Sequence, residues 1–125
     1  YSDEPHIEFH EIDPIIFPDY LRRCRAIISA AGYTSFSEAM VLKKPLFAVS
    51  IGGVLAFEQR LNLNALRHSG CGDGCTHRKF NKKRLLAFIG NLDKYQQVLK
   101  EKNYQDDTSH VAELIIDMIE KELKN

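Results

Sequence analysis

The chain has 125 residues, enough for a single domain with a substantial core. Its 17 lysines and arginines are matched by 17 aspartates and glutamates, so the formal net charge is zero, which argues against a nucleic-acid binder held by phosphate neutralisation. No apolar run approaches the roughly 18 residues of a membrane span, residues 1–4 do not read as a signal peptide, and three cysteines, an odd number, suit a reducing, cytosolic compartment better than a disulfide scaffold.

Taken in order, Ile7 and Phe9 alternate with His6, Glu8 and His10, the period-2 pattern of a strand. Pro14 and Pro18 punctuate the loop that follows, and Pro18 suits the first turn of a short helix over 19–24. Residues 26–30 lack polar alternation and read as a strand buried in a parallel sheet. Past Gly32 a helical pattern starts at Thr34 or Ser35 and runs to 42 or 43, with Phe36, Ala39, Met40 and Lys43 at helical spacing. Lys43 and Lys44 fall where the helix dipole favours cations, and Pro45 forbids continuation.

Residues 45–51 form a second buried strand, ended by Gly52 and Gly53. A helix over 57–69 stops at Gly70, placed as a left-handed terminator. The stretch 71–75, Cys-Gly-Asp-Gly-Cys, reads as a glycine-rich turn or a very short strand. Asn81 is a plausible N-cap for a helix that continues, with a break near Gly90 or Asn91, to Lys102. The last helix follows an acidic cap region at Asp106 and Asp107 and carries Val111, Leu114, Ile115, Met118, Ile119 and Leu123 as one broad apolar stripe.

Strands alternating with helices through short loops predict an α/β fold, a Rossmann-like parallel sheet with helices on both faces. Strands at 6–10, 26–30 and 45–51 are few for such a sheet, and the chain starts abruptly. It therefore reads as one domain, 1–125, cut from a longer protein whose other strands precede Tyr1.

The chemistry is expected at residues 26–42. A strand that breaks on a glycine into a helix N-terminus aims unpaired backbone N–H groups at one point, and the dipole adds positive potential there. Such a corner suits an anion, and phosphate above all.

The run Gly32-Tyr-Thr-Ser-Phe-Ser-Glu38, followed by Pro45-Leu-Phe-Ala-Val-Ser-Ile51 and then Glu58-Gln-Arg-Leu-Asn-Leu-Asn-Ala-Leu66, resembles the C-terminal, donor-binding half of GT-B glycosyltransferases. Within that group it is similar to the peptidoglycan N-acetylglucosaminyltransferases and the UDP-glycosyltransferase superfamily. The resemblance covers roughly residues 7–72.

It implies transfer of a hexose or N-acetylhexosamine from a nucleotide-sugar, a UDP-sugar above all. Gly32, Thr34 and Ser35 would hold the diphosphate, Glu38 the ribose hydroxyls, Glu58 and Gln59 the transferred sugar, and Phe9, His10 and Ile12 the base. Asn62 or Asn64 would orient the loop. No metal and no other cofactor is implied.

The general base belongs to an acceptor-binding half outside this chain, which on its own would bind donor and catalyse nothing. Any membrane contact would run through those absent parts. Two departures stand out: Ala30 occupies a position where many members carry His or Arg near the phosphates, and Ser50 replaces the usual proline.

Plainer readings of the same residues exist. Ser35 and Glu38 have capping-box spacing, and Glu58 could be a solvated first-turn acid. Cys71, Cys75 and His77 offer three zinc ligands with no obvious fourth. Lys79, Lys82, Lys83 and Arg84 read as a solvated basic face. A donor-binding subunit of a split transferase, or a phosphate-binding regulatory domain, are the alternatives to a transferase half.

Overall fold

The computed structural model describes residues 5–104 and 108–124. Three parallel strands, β1 (Ile27–Ala30), β2 (Leu46–Ser50) and β3 (Gly72–Thr76), form a sheet in that order. Six α-helices surround them: α1 (Phe17–Arg23), α2 (Tyr33–Val41), α3 (Ala56–Ser69), α4 (Lys82–Gly90), α5 (Leu92–Lys102) and α6 (Thr108–Lys124). Short 3-10 turns at Gly53–Leu55 and His77–Lys79 follow β2 and β3. The expected α/β class, with a parallel sheet, is the observed one.

Alternation along β2 divides the core in two. Leu46 and Ala48 join Phe36, Ala39 and Met40 of α2 and Leu63 and Leu66 of α3. Phe47 turns to the opposite face and packs with Cys75 and Phe88, flanked by Val49, Leu85, Leu92 and Tyr95. There the Phe47 ring meets Phe88 edge-on at 5.4 Å, and Phe88 stacks on Tyr95 at 5.5 Å. Helices therefore cover both faces of the central strand, which is why its sequence shows no polar alternation.

The third strand is β3, not residues 6–10. Ile7 and Phe9 are 54% and 65% exposed, and no strand forms there. A period-2 pattern makes a strand only where one face can be buried, and every residue from 5 to 12 is exposed. The glycines of β3 have a packing cause. A side chain at Gly72 or Gly74 would fall on the Leu46 or Ala48 carbonyl of β2 and press on Leu66 or Leu63 of α3. Glycine lets α3 lie flush on β3.

Several local expectations hold. Gly70 ends α3 at φ +75°, the left-handed region that glycine enters without strain. The Asn81 side chain accepts from the Arg84 N–H at 2.9 Å and caps α4, and Asn91 separates α4 from α5. Lys44 does more than complement a dipole: its Nζ donates to the Arg22 and Cys24 carbonyls, each at 2.7 Å, tying the end of α1 to the start of β2. Of the α6 stripe, Ile115 and Met118 pack against the larger core cluster, while Leu123 is 81% exposed. The expected parts of Val111, Leu114, Asp106 and Asp107 lie outside the described residues.

Candidate functional site

All three strands run the same way, so their carboxyl ends share one edge of the sheet, the edge where open α/β sheets bind ligands. Pairing of Ala30 with Val49 and of Ser50 with Thr76 brings the segments just beyond, at Gly32, Ile51 and His77, to that edge.

At the end of β1 the chain enters α2 with almost no loop. Gly32 is the N-cap, extended at φ −80° and ψ 155°, and its carbonyl accepts from Phe36 N–H at 3.2 Å to close the first turn. No side chain caps this helix. Ser35 is thus the third helical residue, so Ser35 and Glu38 cannot form a capping box, which needs its serine at the N-cap. A Cβ built on Gly32 meets nothing within 4 Å. The space beside the helix entrance is open, and the N–H groups of Thr34 and Ser35 belong to the first turn, where no carbonyl of the helix can reach them.

Ser29, on β1, donates from Oγ to Ser35 Oγ at 3.0 Å. Glu38 stands one turn on and is exposed, so it is on the same side as Thr34, which is exposed at i−4.

The end of β2 is finished differently. Gln59 Oε1 accepts from Ile51 N–H at 2.7 Å, from Gly52 N–H at 3.3 Å and from Ser50 Oγ at 3.5 Å. Its Nε2 is what remains for a ligand. One turn along the same helix, buried Asn62 donates from Nδ2 to the Ala31 carbonyl at 2.9 Å. The first two turns of α3 therefore brace the ends of both β1 and β2, and the loop-orienting role falls to Asn62. Glu58 is exposed in the first turn of α3, where its charge complements the dipole.

Residues that the sequence reading missed lie between β2 and β3. A cavity of about 500 Å³ opens there, lined by Ser50 and Gly52 at and just after the end of β2, Arg60 from α3, Thr76 at the end of β3, and His77 and Arg78 from the 3-10 turn that follows. His77 Nδ1 donates to the Ser50 carbonyl at 3.3 Å, which makes it the protonated ring nitrogen. Their signal was β3 itself: once 72–76 is a strand, the residues after Thr76 must reach the ligand edge.

Of the positions expected to meet a base, Ile12 is fully exposed, and His10 pairs with Glu8 at 3.1 Å and lies 4.7 Å from the Tyr20 ring. His10 and Ile12, with Tyr20 and Phe17, line a separate cavity of about 670 Å³.

The zinc reading does not survive as geometry. Cys71 belongs to the α2–α3 core cluster and Cys75 to the cluster on the other face. Among the described residues no three His, Cys, Asp or Glu side chains are placed to share a metal ion. All three cysteines are free, and burial pushes the Cys71 thiol above its usual range, which leaves it inert as a nucleophile. No helix among the described residues is long and apolar enough to cross a membrane.

Neither a curated protein nor a solved structure matches the chain. A family model described as glycosyl transferase family 1 does, over residues 2–93, and that span contains the whole sheet, the helix entrance at Gly32 and the α3 brace. The chain belongs to glycosyl transferase family 1.

Proposed function

We propose that this chain is the donor-binding domain of a glycosyltransferase of the GT-B kind, and that it takes a UDP-sugar and passes on a hexose or an N-acetylhexosamine. The diphosphate sits in the open corner beside Gly32, held by the Thr34 and Ser35 N–H groups and the Ser35 hydroxyl. Glu38 accepts from the ribose hydroxyls, and Glu58 with Gln59 Nε2 meets the sugar. The reading is carried by one observation: the helix entrance has no side-chain cap and faces space that a Cβ would not fill.

The chemistry fits that corner. Breaking the bond between sugar and phosphate leaves charge on the diphosphate, and N–H dipoles already oriented toward it stabilise that charge as it grows. Ala30 withholds a cation used by many related sequences, so the helix entrance must do more of this work here. No metal is assigned to the step. The base that activates the acceptor, and the acceptor site, belong to another domain or subunit working in the cytosol, so the chain by itself binds donor without turnover.

Calorimetric titration of the chain with UDP and with UMP tests this. UDP should bind in the millimolar range or tighter and more strongly than UMP, because the second phosphate reaches the helix entrance. Glu38→Ala should weaken UDP several-fold and leave Tm unchanged, since Glu38 is exposed and holds nothing in the fold. Absence of binding by either nucleotide would end the proposal.

A further inference from the structure

A second concavity lies behind the first, between α3, the end of β3 and the start of α4. Its volume is about 190 Å³, and its walls carry Arg60 and Arg67 from α3, Lys79 from the 3-10 turn after β3, and Arg84 from α4. Four cations from three elements thus converge in a chain whose formal net charge is zero. The acidic group that faces them is Asp73, already engaged by Arg67 Nε at 3.0 Å.

A solvated basic face would spread its charges outward along one helix. Here they rim a hollow that Thr76 and the half-buried Asn64 also line, and neither of those side chains has a hydrogen-bond partner among the described residues. Arginine forks with hydroxyl and amide donors are the set that recognises a phosphate group, since each guanidinium can present two parallel N–H donors.

We infer that this groove is a second anion site, which takes a terminal phosphate or diphosphate group. It does not depend on the donor reading: Arg60 and Thr76 border both hollows, but Arg67, Lys79 and Arg84 belong to this one alone. The phosphate could arrive as a free small molecule or as a lipid headgroup.

The full chain, labelled with ¹⁵N, is titrated with inorganic pyrophosphate and separately mixed with vesicles containing phosphatidic acid or phosphatidylcholine alone. The amides of Asn64, Thr76, Lys79 and Arg84 should shift and saturate with pyrophosphate. Lys79→Gln/Arg84→Gln should weaken that response at least tenfold, and Lys79→Gln alone, at an exposed position, should weaken it in part without touching the core. Binding to phosphatidic acid vesicles, lost in the double variant, would assign the phosphate to a headgroup; pyrophosphate binding without vesicle binding would assign it to a soluble ligand. Shifts confined to Thr34 and Ser35, no response to either probe, or an undiminished response in the double variant would overturn the inference.

Discussion

The ends of β1 and β2 are neighbours at one edge of the sheet and are completed in opposite ways. After β2 the chain turns through Gly52 at φ +92°, and Gln59 supplies one oxygen that gathers the Ile51 and Gly52 N–H groups. After β1 the chain runs straight into α2 without a side-chain cap, although a threonine and a serine stand in its first turn. The protein spends a buried asparagine on the Ala31 carbonyl, on the far side of the same corner, and leaves the helix entrance itself open. The loop after β2 is closed by the fold itself, and the corner after β1 is the one proposed for the donor.

That contrast can be broken from either side. The largest effect is expected at the closed end. Gln59→Ala removes the acceptor shared by two backbone donors and the buried Ser50 hydroxyl, at a cost of roughly 1–3 kcal/mol, a Tm lower by several degrees in a thermal melt. Gln59→Glu keeps an acceptor there and should recover most of the loss.

At the open end the pattern inverts. Gly32→Ala puts a methyl group into free space, so stability should fall by only about 0.5–1 kcal/mol from the poorer N-cap residue. The same methyl occupies the position proposed for the diphosphate, and UDP affinity should drop tenfold or more by calorimetry. Were Gly32→Ala to cost stability and spare binding, the two ends would have to exchange roles.

The smallest effect belongs to a position in neither loop. Burial, with some help from Cys71, pushes the Tyr104 hydroxyl up to about 12. A raised pKa in the folded state means that the folded chain holds the proton more tightly. This contribution to stability is therefore full below the ordinary tyrosine value near 10 and is lost as pH rises toward 12. Denaturant midpoints measured across that interval should decline less in Tyr104→Phe, with UDP binding at neutral pH untouched.

Much of this was legible in the sequence because the signals were local. Pro45 and Gly70 fix boundaries through their own backbones and Asn81 through its side-chain cap, and they fall where expected. The corner at Gly32 was legible for the same reason, since strand, glycine and helix are contiguous.

What was not legible depended on contacts between distant segments. Residues 6–10 have strand periodicity, but all five are exposed, with no buried face to hold a strand. Residues 71–75 read as a turn or a very short strand, and the choice falls to the strand at 72–76, where Gly72 and Gly74 let α3 pass close above. With turn and short strand both open at 71–75, the sequence offers His77 only as a metal ligand and does not place Arg60 or Arg78 at the ligand edge. Gln59 was expected on the sugar, and no local pattern shows that its oxygen already serves the Ile51 and Gly52 N–H groups, beside the corner that Asn62 holds.

The central claim is that the first-turn N–H groups of α2 receive the donor diphosphate. The most direct measurement is a ¹H–¹⁵N correlation spectrum of the chain recorded through a titration with UDP. The Thr34 and Ser35 amide protons should move downfield and saturate together, as they would on accepting phosphate oxygens, while the Ile51 and Gly52 amides held by Gln59 stay in place. If UDP binds and leaves Thr34 and Ser35 unmoved, the diphosphate lies elsewhere and the account of this corner is wrong.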